Sequence, residues 1–116
     1  YADLSLQIFA QQVRRARGIV GAARLQAGLP GRHHLVVYAL AAAGQGARER
    51  LGAELRAEGL AGAGVGAAGG PEDLAREAAR LAEAGADTVV FQPTADEPDL
   101  EGFIALVAHR VRPLVP

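Results

Sequence analysis

The chain contains no cysteine, no methionine and no lysine, and Ser5 is its only serine. Without cysteine there is no disulfide framework, no thiol nucleophile and no thiolate zinc site. With a single serine, no serine–histidine–acid set is evident. No apolar run approaches the ~20 residues of a membrane span, so no membrane partner is expected. Twelve basic residues against 13 acidic leave a formal net charge of −1, without the basic excess that a nucleic-acid partner requires. No signal-peptide pattern follows Tyr1, and a cytoplasmic protein is the expectation. All 12 basic residues are arginine, and alanine and glycine abound, which reads as a genome rich in G and C rather than a functional need. A chain of 116 residues that starts at Tyr1 and lacks methionine is expected to be one domain, or a piece of one, over 1–116.

What is present reads as alternating helices and strands. Asp3 to about Ala27 carries Leu6, Phe9, Ala10, Val13, Ala16 and Val20 at helical spacing, stopped by Gly28-Leu-Pro-Gly31. His34–Ala41 is a continuous apolar run containing Val36, Val37 and Tyr38, which suits a strand buried on both faces of a parallel sheet. Ala47 to Glu58 reads as a helix with Leu51 and Leu55 on one face. Gly59–Gly70 holds six glycines and is expected to be a flexible loop. Gly62, Gly64 and Gly66 do not have the spacing or the strand–helix setting of a dinucleotide fingerprint.

The second half is more sharply punctuated. Pro71 suits the first position of a helix, Glu72 and Asp73 its positive end, and Gly85 its stop. Leu74, Ala78, Leu81 and Ala82 form the expected buried stripe of that helix. Asp87–Gln92 is the second strand. A last helix starts within Asp96–Asp99 and runs to about Arg112, burying Phe103, Ile104, Val107 and Val111 before Pro113. Two parallel strands joined through helices imply a right-handed crossover. Their unpaired edges invite association, so a homo-oligomer is expected.

The run Ala84-Gly-Ala-Asp-Thr-Val-Val-Phe-Gln-Pro-Thr-Ala-Asp-Glu-Pro-Asp99, with Phe103 and Val111-Arg-Pro-Leu-Val115, resembles the end of luciferase-like flavin- or deazaflavin-dependent oxidoreductases. Gly69-Gly70-Pro71-Glu72 is similar to the step that opens the family's penultimate helix, with Gly70 in place of a hydroxyl residue. Val36–Leu40 fits the seventh barrel strand. The resemblance implies an α/β fold, the C-terminal portion of a (β/α)8 TIM barrel contributing its last two strands. It implies FMN or the deazaflavin coenzyme F-420 as cofactor, and hydride transfer to, or monooxygenation of, a small-molecule substrate. The alternative is a non-catalytic α/β binding or assembly module.

Barrels build their sites at the carboxyl ends of the strands. The cofactor-binding candidates are therefore Gln92 and Thr94 after the last strand, and Gly69 and Gly70, whose amides open a helix pointing the same way. Against an anion at Gly69–Gly70 stand Glu72 and Asp73 in the first turn. Asp96, Glu97 and Asp99, around Pro98, read as a helix-capping turn rather than a metal site. His33 and His34 diverge on a strand and precede it, so they sit at the end opposite the chemistry. His109 belongs to the last helix, where it favours the negative end of the dipole. No metal is expected.

Overall fold

A computed structural model describes residues 2–28, 34–59 and 66–115, with side chains from Gln12 onward. The order is α1 (Ala2–Gln26), β1 (Val36–Ala43), α2 (Ala47–Ala57), β2 (Ala67–Gly69), α3 (Pro71–Ala84), β3 (Thr88–Pro93) and α4 (Leu100–Leu106). A π-helical turn (Val107–Val111) and a 3-10 turn (Arg112–Leu114) continue α4. Pro113 has no N–H to carry an α-helical ladder further. The protein is an α/β fold with a small, open, parallel sheet of three strands in the order β2-β1-β3.

The third strand corrects the expectation for the glycine-rich stretch. Ala67–Gly69 pairs in parallel with Ala41–Ala43, whereas Gly59–Gly70 was expected to be loop throughout; its residues 60–65 lie outside the described part. Ala-Ala-Gly has no β-branched residue to announce a strand. Its neighbourhood makes it one. Ala67 is buried in a cluster with Ala41, Leu74, Ala75, Phe103 and Val111. Gly66 (φ +98°) passes so close to β1 that an added Cβ would stand 2.7 Å from the Leu40 carbonyl oxygen, an approach only glycine permits.

The two strands read from the sequence are neighbours, paired in parallel from Val36↔Thr88 to Ala41↔Pro93. β2 stands on the far side of β1, so the three strands do not follow chain order across the sheet. The crossovers β1→β2 and β2→β3 therefore run in opposite directions. Right-handed connections then place α2 and α3 on opposite faces.

The face under α3 holds the core. Val13 of α1, Ala39, Leu81, Ala84 and Ala86 form one cluster, with Leu35, Val37, Val89 and Phe91 against it. A second cluster, around Leu74, Phe103 and Val111, seals the carboxyl half. Arg17 fastens α1 to the α3–β3 turn: it donates to the Gly85 carbonyl and pairs with Asp87, whose carboxylate also accepts from Leu35 N–H. Three details of the expected core change. Ala82 is exposed, Ile104 is 58% exposed, and β1 is buried on both faces only near its carboxyl end, with Tyr38 60% exposed. The expectation treated β1 as an inner barrel strand, but this sheet leaves the opposite face open where α2 ends.

α3 matches its sequence reading from Pro71 to Ala84. Its amino end is closed by its own acid: Asp73 accepts from the Gly70 N–H at 2.8 Å. That bond, joined by Arg76, holds the Asp73 carboxyl below its usual range. Glu77 on the same helix is buried. Desolvation pushes its carboxyl up, partly offset by Arg80.

Candidate functional site

Strand order locates the crevice before any side chain does. In an open parallel sheet ligands bind outside the carboxyl ends of the strands, where successive connections leave in opposite directions. Here that point lies between β1 and β3. A cavity of about 250 Å³ occupies it, between the turn after β1 (Ala43, Gly44, Gln45) and the loop after β3 (Glu97, Pro98, Asp99). Arg50 of α2 and Gly102, Phe103 and Leu106 of α4 complete the wall.

The β1–α2 turn is held from inside by Arg50. Its guanidinium donates to the Gln45 carbonyl at 2.7 Å and to the Ala43 carbonyl at 2.8 Å. Its Nε is buried with no partner. Gly44 and Gly46 adopt positive φ (+82° and +74°), which the reversal from strand to helix requires. Gly44 N–H donates to the Gly69 carbonyl at 3.1 Å, linking the exits of β1 and β2.

The loop after β3 is equally well anchored. The Thr94 carbonyl accepts from Glu97 N–H at 3.1 Å. Ala95 N–H donates to Glu54 of α2 at 3.0 Å. Glu97 accepts from Asp99 N–H at 3.0 Å and faces Arg50 at 4.0 Å, bridging the two loops across the cavity. Asp99 caps α4 by accepting from Gly102 N–H at 3.0 Å, the standard role of an N-cap carboxylate.

All four sequence candidates lie along this carboxyl edge, but not together. Gln92 is exposed near the end of β3, in register with Leu40. Thr94 is 3% exposed, and its hydroxyl oxygen is buried without a partner. Gly69 and Gly70 are at the exit of β2, on the other side of β1. None of the four lines the cavity between β1 and β3. The Gly70 N–H is occupied by Asp73, and a Cβ on Gly69 (φ +136°) would stand 2.9 Å from the Asp73 Cγ.

The other candidates that are described lie away from the crevice or serve the backbone. Asp99 is a cap. His34 meets the Thr88 hydroxyl at 2.7 Å, at the amino end of β3 and away from the crevice. His109 is exposed in the π-helical turn; His33 lies outside the described residues. No group of three or more His, Cys, Asp or Glu is placed to hold a metal among the described residues. No described helix is long and apolar enough to cross a membrane.

Sequence reading missed Gly44, Gln45 and Arg50. The signal was present: Gly44-Gln-Gly46 follows an apolar strand and opens a helix. Comparison with protein-family models, curated proteins and solved structures found no match.

Proposed function

We propose that this chain forms the carboxyl-terminal part of a luciferase-like oxidoreductase and that its sheet's carboxyl edge borders the pocket for FMN or coenzyme F-420. The supporting observation is the crevice at the carboxyl ends of β1 and β3, with polar side chains above a parallel sheet. Both barrels and open parallel sheets bind ligands at that edge. The cofactor supplies the hydride or oxygen chemistry when bound. The chain's own residues orient it and shield it from water.

Fit to the cofactor is uneven along the edge. The exposed Gln92 amide matches the polar rim of a flavin or deazaflavin ring, which both donates and accepts hydrogen bonds, whereas the Thr94 hydroxyl is buried and does not reach it. The amino end of α3 does not match a phosphate, because Asp73 fills it and Glu72 adds a second charge. The cofactor phosphate then belongs to a different part of the binding surface.

Fluorescence titration of protein containing this chain, with FMN and with coenzyme F-420 in oxidised and reduced forms, tests the proposal. Saturable binding of one of them, weakened by Gln92→Ala, is the expected result. Thr94→Val keeps the side-chain shape and removes a buried hydroxyl that has no partner in the fold, so it should unfold no sooner than the parent and serves as a control that leaves binding unchanged. Absence of saturable binding by either compound would sink the assignment.

A second reading, an assembly module, draws on the half-open sheet. Val36 and Tyr38 are exposed on the face opposite α3, and β3 pairs only with β1 among the described residues. Sedimentation equilibrium distinguishes it: a mass that stays at 11.9 kDa across concentrations is incompatible with self-assembly through that face.

A further inference from the structure

We infer that the groove between α3, β3 and the end of α4 binds an amphipathic carboxylate, with its apolar chain along Val89 and Phe91 and its carboxylate on Arg112. The groove holds about 360 Å³, within the roughly 300–1,000 Å³ of small-ligand sites. It shares no lining residue with the crevice between β1 and β3, and the inference does not depend on what that crevice binds.

The floor of the groove is apolar and only half covered. Val89 and Phe91 pack against the core with part of each side chain left exposed. Val107 and Val111 form one wall, and that wall is the π-helical turn. Arg112 N–H donates to the Val107 carbonyl, a wider closure than an α-helical bond. Pro113 withholds a bond from the His109 carbonyl alone, whereas the π-helical geometry begins at Val107. Such turns are rare and are frequent at functional sites.

Charge decides what the groove takes. Arg112 follows the π-helical turn directly, lines the groove and is exposed. Its guanidinium has no ion-pair or hydrogen-bond partner among the described residues. Asp87, the other charged residue of the lining, pairs with Arg17 and accepts from Leu35 N–H, so its charge is already answered. One uncompensated guanidinium therefore stands beside an apolar floor. The guanidinium fork matches a carboxylate with two parallel hydrogen bonds, and an alkyl chain laid on Val89 and Phe91 leaves water. An ammonium group would meet the Arg112 charge and find Asp87 occupied.

The test is a ¹⁵N NMR titration of the chain with hexanoate and, separately, hexylammonium at matched ionic strength. The two share an alkyl body and differ in charge. Saturable shifts of the Val89, Ala108 and Arg112 amides by hexanoate are expected, with those of Gln45 and Glu97 at the crevice unmoved. Arg112→Gln should weaken hexanoate about five-fold, the upper end for an exposed ion pair, and hexylammonium should bind the parent more weakly still. Ala108→Leu places a good helix former at an exposed position and fills the groove, so it should abolish binding. Both variants should keep the melting temperature of the parent. Hexylammonium binding as tightly as hexanoate, or hexanoate undiminished by Arg112→Gln, would overturn the charge assignment. Hexanoate binding undiminished by Ala108→Leu, shifts confined to the crevice, or no saturable shift at all would overturn the site itself.

Discussion

Replacing Gly69 by alanine separates the structural role of this glycine from a cofactor role. Gly69 has φ +136°, and the added Cβ would lie 2.9 Å from the Asp73 Cγ. Backbone strain of this kind costs about 1–3 kcal/mol. The Asp73 carboxylate must also swing away and release the Gly70 N–H, which it holds at 2.8 Å. A charged hydrogen bond of this type would contribute about 1.5–3 kcal/mol if well buried. The Asp73 side chain is 39% exposed, so solvent screening reduces that to about 0.5–1 kcal/mol. Gly69→Ala should therefore destabilise the fold by about 1.5–4 kcal/mol.

Asp73→Ala alone loses only the cap, about 0.5–1 kcal/mol. The double variant loses that bond once, so adding Asp73→Ala to Gly69→Ala should cost almost nothing more. Urea unfolding of the four proteins measures the cycle, with the slope serving as a check that the denatured states are comparable. Independent sites add within about 0.3–0.5 kcal/mol. Full additivity, or a Gly69→Ala protein as stable as the parent, would refute the reasoning that Asp73 fills the space over Gly69.

Three further outcomes follow from the packing. Glu77 has a carboxyl pushed up by burial, so the protonated form suits the fold; the stability this contributes is present below the ordinary value of 4.5 and lost as pH rises past it. Glu77→Gln should therefore raise the melting temperature at pH 7 and give no advantage near pH 4, as read by thermal scans across that range. Asp99→Ala removes the cap of the seven-residue α4 and should cost about 1 kcal/mol, measured by urea unfolding and by faster amide exchange at Gly102. Leu74→Ala empties a position with no exposure beneath α3 and should cost about 2–5 kcal/mol; a loss under 1 kcal/mol in urea would mean that the carboxyl-end cluster is not a packed core.

Much of the architecture is local and was legible. Pro71, Glu72, Asp73 and Gly85 mark both ends of α3, because a missing N–H, two acids and a residue free to take positive φ each act within one turn. The apolar runs that became β1 and β3 were found to within two residues, and Asp99 was read as part of a capping turn. The resemblance that suggested flavin or deazaflavin chemistry also came from consecutive residues, Gly69–Val115, and stands as a proposal.

Tertiary structure decided the rest. β2 exists because Ala67–Gly69 meets Ala41–Ala43 and because Ala67 is covered by α3, neither of which leaves a mark on three small residues. Its position beyond β1, rather than between β1 and β3, fixes where successive crossovers part and so where the crevice opens. Ile104 and Ala82 satisfy helical periodicity yet face solvent, since which part of an apolar stripe is buried depends on what packs against it. Arg50 and Glu97 are 47 positions apart; their meeting across the cavity is a consequence of strand order alone. Sequence by itself determined the helices and two of the three strands of the described residues, and their order, because those depend on neighbours along the chain. Which edges adjoin, which face stays open and which charges share a cavity depend on neighbours in space.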